Sequence, residues 1–529
     1  MSDRPLGVQI SRMLHDRGTD VIFGIPGVHN QELYRGIEEA GLRHILARHE
    51  QGAGFMADGY ARATGRPGVC YVISGPGLTN IMTPMGQAQS DSVPMLVISS
   101  CINPASLGMG RGRLHEMKDQ AGAGATVADW SLEAVDAAHA FHLIDRALRE
   151  FAMLRGGVKH IQVPIGVLEA LAPSAPAARG TAPVPAAPAV MPDLAQIRAA
   201  RRPLFILGGG AVRVGPMLTP LLARMGAAVF ETMAGRGCVA PDYPLHFGAM
   251  LARVEAEAII GSADLVIAVG TELSEVDLWR ADPGHQVPLI RVDIDPSVLN
   301  GADTGIAVPG DAAGFFAALA GMLDPAHPAA TGWDPAQVRG QRARWQAQLA
   351  VEYPGLLPLC AALQAVLPDD TMIYSDMTQF AYAALEAWPM ARPGHWHHPF
   401  GFGTLGYGLP AAIGGTIARP GLPTLAIAGD YGFQYTVQEL ATAVELGLSL
   451  PIILWDNGKL GAIEASMVQA QIAPNAVIQR NPDFLALAKA YGAAATAPRS
   501  LGALQEAVLA ALGADRPTLI HVTPATAVM

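Results

Sequence analysis

The sequence predicts an α/β fold: three doubly wound parallel-sheet domains carried on one chain of 529 residues. Two observations carry that expectation. Short apolar runs of strand length alternate with amphipathic or small-residue helical stretches, the pattern of strand, crossover helix and parallel strand. Half of the residues are apolar and only 15% are charged, as sheets covered by helices on both faces require. The length suits three or four domains at about 150 residues each.

The first domain is expected over residues 1–171. Val8–Arg17 reads as an amphipathic helix, Asp20–Gly24 as a strand, Gln31–Ala40 as a helix and His44–Leu46 as a short strand. A small-residue helix (Gln51–Thr64), a strand (Val69–Ser74), a helix after Gly77 and a strand at Met95–Ser99 follow. Residues 172–192 are mostly Ala and Pro, a composition that favours an extended linker. The second domain, 193–325, holds strand patterns at Pro203–Leu207, Ala227–Phe230, Leu265–Val269 and Leu289–Ile294. Gly208-Gly209-Gly210 lacks the full spacing of a dinucleotide loop and is a weak signal. A second connection is expected over 326–349, and the third domain over 350–529. The segments 61–77 and 417–432 share an Arg-Pro-Gly turn, a buried strand and a glycine turn, which hints that the outer domains share a topology.

Bulk properties exclude several function classes. A net charge of −11 without a dense Lys/Arg run argues against nucleic acid or an anionic membrane as partner. No apolar run approaches the roughly 20 residues of a membrane span, and the polar N-terminus lacks the core of a signal peptide. Cys70, Cys101, Cys238 and Cys360 match no zinc spacing and read as buried thiols in a reducing compartment. A cytoplasmic protein is expected.

The stretch 424–461 carries the most chemistry. Leu425–Ala428 is an apolar run ending at Gly429-Asp430, and Ile452–Trp455 ends at Asp456-Asn457. In a parallel βαβ unit both strand ends emerge on one sheet edge, so Asp430 and Asn457 offer two oxygen ligands to a hard cation such as Mg²⁺. The turn Tyr431-Gly432-Phe433 opens a helix, where backbone N–H groups receive a phosphate. A lone Gly-Asp-x-Gly is commonly only a turn; the Asn 27 positions later, ending a second strand, favours a metal-held diphosphate.

Three N-terminal stretches add to this: Phe23-Gly24-Ile25-Pro26-Gly27, Arg48-His49-Glu50 and Ser74-Gly75-Pro76-Gly77. With the glycine-rich run from Gly403 to Pro410 and the stretch at 424–461, they resemble the thiamine-diphosphate-dependent 2-oxoacid decarboxylase and acetolactate synthase superfamily. The resemblance spans nearly the whole chain and implies a pyrimidine-binding, a middle and a diphosphate-binding domain. It implies thiamine diphosphate and Mg²⁺ as cofactors, with Asp430, Asn457 and the carbonyl of Lys459 on the metal. Gly403, Thr404, Leu405, Gly429, Tyr431, Gly432, Leu460 and Gly461 then line the cofactor, Leu405 as the apolar wedge beneath it. Glu50 matches the residue that hydrogen-bonds N1′ of the aminopyrimidine, favouring the tautomer that takes the proton from thiazolium C2. Tyr431 departs from the usual glycine, and a tyrosine is costly there if the backbone needs a positive φ.

After CO2 loss, an aldehyde product requires a proton donor, and His29 and His115 are the candidates near pH 7. His29 stands where acetolactate synthases usually carry a small residue and some decarboxylases and lyases carry His; His115 matches a position often held by Gln. The leading expectation is non-oxidative decarboxylation of a 2-oxoacid with a long or cationic side chain, such as 5-guanidino-2-oxopentanoate. Asp376, Gln379 and Glu464 are the substrate candidates, since a buried guanidinium needs a carboxylate partner. The runner-up is an acetolactate-synthase-like carboligase, and a non-catalytic paralogue is a third reading. The segment His246–Arg253 departs from the flavin-site pattern, so no FAD is expected. The resemblance further implies a homodimer or homotetramer with its active site at the subunit interface.

Overall fold

The computed structural model describes residues 3–177, 191, 194–301, 304–323 and 332–527. The alanine- and proline-rich linker expected at 172–192 falls largely outside them. The chain divides into two compact units, one drawn from 1–182, 372–378 and 398–526, the other from 183–371, 379–397 and 527–529. No helix among the described residues is long and apolar enough to cross a membrane.

The first unit contains two of the three parallel sheets. The N-terminal sheet runs Arg43–Leu46, Val21–Gly24, Gly68–Val72, Met95–Cys101, Val158–Pro164, Trp130–Glu133 across its width. Every neighbouring pair is parallel. The strand Gly68–Val72 is buried at all five residues, which is why it reads as an unbroken apolar run. Five strands of the C-terminal sheet follow the same order: Met372–Ser375, Thr424–Gly429, Pro451–Trp455, Thr518–Val522, Ala494–Thr496, again all parallel. In both sheets the last strand in sequence lies inside the one before it, so the repeated Arg-Pro-Gly, strand, glycine pattern sits at equivalent places.

These two sheets share one hydrophobic core, in which Phe55, Met85 and Val97 join Tyr407, Ile413 and Leu454. The helices Glu50–Thr64 and Gly408–Ala418 cross at its centre, and glycine sets how closely. A Cβ on Gly59 would lie 2.0 Å from the carbonyl oxygen of Ala411, and one on Gly414 would lie 1.9 Å from that of Met56. Backbone cannot yield as a flexible side chain can. Gly414→Ala is therefore expected to cost about 2 kcal/mol, in the range of overpacked cores, read as a lowered urea midpoint; an unchanged midpoint would show that the crossing tolerates a methyl group.

The second unit holds the middle sheet, ordered His246–Gly248, Ala228–Glu231, Pro203–Leu207, Leu265–Val269, Leu289–Asp293, Thr304–Pro309, and parallel throughout. Here the structure corrects one boundary. Most of the connection expected at 326–349 is an 18-residue helix, Pro335–Glu352. Its Val338, Trp345 and Leu349 are buried in the middle-domain core, with the Trp345 ring 6.3 Å from Phe230 and 6.2 Å from Phe247. Residues 350–371 and 379–397, expected in the third domain, belong to this second unit as well. Gly208 and Gly210 are also explained by packing: a Cβ on Gly208 would meet the Gly270 carbonyl oxygen at 2.2 Å, and one on Gly210 the Gly270 Cα at 2.8 Å.

Candidate active site

The carboxyl edge of the C-terminal sheet brings the ends of two adjacent strands together, with Gly429 opposite Trp455 in the ladder. Asp430 begins the helix Asp430–Tyr435 and is buried, at 3% exposure. Its Oδ2 and the Oδ1 of Asp456 each accept from the Asn481 side-chain amide at 2.7 Å. The His521 ring lies 2.8 Å from the other Asp456 oxygen. Burial, opposed by the Asn481 amide and assisted by the Asp456 charge, raises the Asp430 pKa above the usual carboxylate range. Burial also works to raise Asp456, but hydrogen bonds from His521 and Asn481 hold it below.

Two carboxylates facing one amide form a site that a cation would relieve. No three His, Cys, Asp or Glu side chains among the described residues form a metal cluster, so a metal here would draw on Asn457 and main-chain oxygen. The Asn457 Oδ1 accepts from the Lys459 N–H at 3.3 Å. The donor set is all oxygen, which fits a hard divalent cation. Leu460 caps the helix Gly461–Gln469, and Lys459 Nζ sits 2.6 Å from Glu464 Oε2 in that helix.

Tyr431 lies in the helical first turn, and its φ is not positive. The conformational cost foreseen for a tyrosine there does not arise. The position that needs glycine is the next one, because a Cβ on Gly432 would lie 2.7 Å from the Asp376 carboxylate.

Asp376 itself proves to be a structural anchor. It follows the strand Met372–Ser375, is 1% exposed, and accepts hydrogen bonds from the backbone N–H groups of Met377, Gly406 and Gly408. Burial pushes its pKa up to about 7 against those amides. Its oxygens are spent on the 403–408 loop, which corrects the expectation of a substrate carboxylate. Gln379 begins the helix Gln379–Ala387 of the second unit. Gly403 and Gly406 adopt positive φ of 64° and 89°, and Leu405 between them is half-buried, not a core residue.

The loop carrying Leu405 is held from the N-terminal domain. Thr404 Oγ1 donates to Gln87 Oε1 at 3.0 Å, and the Gly401 N–H to Asp91 at 2.7 Å. Asp91 and Asp58 both bind the buried guanidinium of Arg62, each at 2.7 Å. The Tyr407 hydroxyl donates to Asp58, also at 2.7 Å.

In the N-terminal domain Glu50 opens its helix and is 8% exposed. The Asn80 amide donates to its Oε2 at 2.9 Å, and Oε1 takes no hydrogen bond among the described residues. A buried carboxylate with one open oxygen fits a ring-nitrogen partner. Among the described residues Glu50 and Asp430 share no hydrogen-bond partner.

His29 and His115 come together edge to face, their ring centroids 5.0 Å apart. His29 Nδ1 lies 3.1 Å from Ser74 Oγ, which in turn lies 3.0 Å from Ser100 Oγ. Burial, then the neighbouring His115, lowers the His29 pKa below its ordinary value. His115 has φ of 60°, and its buried Nδ1 has no hydrogen-bond partner among the described residues. A strained backbone and an orphaned nitrogen each cost about 1–3 kcal/mol, and such costs cluster at functional sites. Sequence reading missed Asn80, Asn481, His521 and Glu439. Only Glu439 left a local trace, as an acid on the buried face of the small-residue helix Glu439–Glu445.

Comparison with known proteins agrees with this architecture. Residues 5–123 match the N-terminal thiamine pyrophosphate binding domain of thiamine pyrophosphate enzymes, 194–319 their central domain, and 376–522 their C-terminal thiamine pyrophosphate binding domain. A probable 2-ketoarginine decarboxylase of Pseudomonas aeruginosa is 44% identical over 531 residues, covering 98% of this chain and 94% of the relative. The acetolactate synthase isozyme 1 large subunit of Escherichia coli is 29% identical, covering 97% and 92%. An acetolactate synthase of Mycobacterium bovis is 30% identical, covering 91% and 82%. The chain belongs to the thiamine pyrophosphate enzymes.

Proposed function

We propose that the chain catalyses the non-oxidative decarboxylation of a 2-oxoacid to an aldehyde and CO2, with 5-guanidino-2-oxopentanoate (2-ketoarginine) as the substrate class. The observation that carries this reading is 44% identity along 98% of the chain to a probable 2-ketoarginine decarboxylase, against 29–30% to acetolactate synthases. The paired histidines support it, because release of an aldehyde needs a proton at the carbon that lost CO2, whereas carboligation fills that position with a second carbonyl.

Thiamine diphosphate, when bound, supplies the nucleophilic carbon and the electron sink for decarboxylation. In this reading Asp430, Asn457 and the Lys459 carbonyl hold Mg²⁺ and through it the diphosphate. Glu50 would hydrogen-bond the aminopyrimidine, with Asn80 already on one of its oxygens, and Leu405 would support the cofactor. His29 rests neutral near pH 7 because its pKa is lowered, which suits a group that collects a proton and returns it within one cycle. Two copies of the chain bring Glu50 of one and Asp430 of the other to the same cofactor, in a dimer or a tetramer. The middle domain is read as flavin-free. Phe247 stacks on Phe230 at 4.9 Å, and Arg253 is paired with Glu352 and Glu386, so these side chains already have partners. A cytoplasmic setting suits four free, buried thiols.

With Asp376 committed to backbone amides, Glu464 is the carboxylate left for the guanidinium, exchanging Lys459 for substrate. CO2 release from a panel of 2-oxoacids tests this. The guanidino acid is expected to be the best substrate, and Glu464→Gln to raise its KM about tenfold, roughly 1.4 kcal/mol, while leaving the KM for uncharged 2-oxoacids unchanged. Turnover of pyruvate alone, or accumulation of acetolactate, would overturn the assignment in favour of the carboligase.

A further inference from the structure

Glu50 owes its place to the backbone just ahead of it, and that backbone is gripped from the C-terminal domain. The N–H of Arg48 donates to both carboxylate oxygens of Glu439, at 3.0 and 3.1 Å, and the N–H of His49 donates to Oε1 at 3.0 Å. Thr442 Oγ1, one turn on from Glu439, donates to its Oε2 at 3.0 Å and lies 3.2 Å from the Leu46 carbonyl oxygen. The Arg48 guanidinium pairs with Glu445 at the end of the same helix. Glu439 is fully buried. A Cβ on Gly52 would lie 2.2 Å from Glu439 Oε1, so the first turn of the Glu50 helix is shaped around this carboxylate. The residues joined are 390 and 391 positions apart in sequence.

We propose that Glu439 is a positioning residue for Glu50: by holding the Arg48 and His49 amides it fixes the start of the Glu50 helix, and with it the distance from the Glu50 carboxylate to the cofactor. The inference rests on Glu50 serving the cofactor as proposed above. Glu439 reaches backbone amides and Thr442, so it acts through Glu50 and not on the reacting atoms. The fixed distance matters because a 1 Å misplacement of a reacting group can cost 100-fold in rate. An amide in place of the carboxylate turns one acceptor into a donor facing a donor, and at least one of these bonds is lost.

A double-mutant cycle decides between positioning and general support of the fold. In the holoenzyme, Glu439→Gln is expected to lower kcat about 10- to 100-fold with KM within twofold. In a Glu50→Gln background the same substitution is expected to change kcat less than twofold, because the group it positions is already gone. Amide hydrogen exchange on the full-length protein supplies a readout besides activity. Arg48 and His49 are expected to lose protection while the strand Gly68–Val72 keeps it. Glu439→Asp retains the charge on a shorter arm and is expected to fall between wild type and Glu439→Gln; if the glutamine variant does not fold, the aspartate variant carries the same cycle. Equal losses of kcat in both backgrounds, or an unchanged kcat with newly exposed amides, would overturn the positioning role. Full activity of Glu50→Gln itself would instead overturn the assignment of Glu50, a different failure.

Discussion

Glu50→Gln is expected to lower kcat by about 10²- to 10⁴-fold, the usual contribution of a positioned acid–base group, while cofactor binding persists. The separation follows from the split of the site. Glu50 stands in the N-terminal domain with Asn80 on one oxygen, whereas the metal and diphosphate are assigned to the Asp430 edge of the C-terminal sheet. A ligand at 100 times its Kd stabilises the folded state by about 2.7 kcal/mol, so thiamine diphosphate with Mg²⁺ is expected to raise the melting temperature of Glu50→Gln as it does that of the wild type. Asp430→Ala is expected to lose that rise. The two variants also test the subunit arrangement. If each cofactor lies between Glu50 of one subunit and Asp430 of the other, a mixed dimer contains one site with both residues intact, and mixing two inactive proteins is expected to restore activity. Failure of reassembled mixtures to regain turnover would place both residues' work within one chain. More than a tenth of wild-type turnover in Glu50→Gln would remove Glu50 from the chemistry.

The largest stability effect is expected at Arg62. Its guanidinium is buried between Asp58 and Asp91, whose side chains are 0% and 7% exposed. Arg62→Met leaves two carboxylates without their cation in the interior, and breaking a buried ion pair from one side costs about 3–5 kcal/mol. The consequence reaches the site. Asp91 also holds the Gly401 N–H, and Gln87, which holds Thr404, donates to Asp91 at 2.8 Å. Freed of Arg62, this network no longer fixes the loop that carries Leu405, so turnover is expected to fall along with the denaturation midpoint. Pairing the change with Asp58→Asn is expected to recover part of the loss, since the penalty belongs mainly to the stranded charge. A shift below about 1 kcal/mol would show that water reaches Asp58 readily, contrary to its complete burial.

The contrast between these residues shows what could be read in advance. Strands such as Gly68–Val72 and Pro451–Trp455 are buried along their whole length, and burial on both faces writes an apolar run into the sequence. The helix Gln31–Ala40 is closed by Gly41 in the left-handed conformation, a stop that glycine announces. The Asp430 edge was legible because a parallel ladder places successive strand ends on one side of a sheet. The helix Pro335–Glu352 was not, because a Pro/Gly-rich approach hides where a helix begins and a polar surface hides Trp345 beneath it.

The three parallel α/β domains and the strand-end positions of Asp430 and Asn457 were legible from residue patterns, and the thiamine-type motifs through their resemblance to a known family. The domains and the strand ends are local patterns, set by the two- or 3.6-residue period of one element and the turn that ends it. It took the folded chain to show that Asp376 anchors a loop, that Tyr431 is an ordinary helical residue, that Asn481 bridges Asp430 and Asp456, and that Glu439 and Arg62 lock the two outer domains together. These are contacts between segments up to 391 residues apart. A buried acid on a small-residue helix has the same local sequence whether it meets solvent, a cation or two backbone amides, and its partner is fixed only when the two sheets close on a common core.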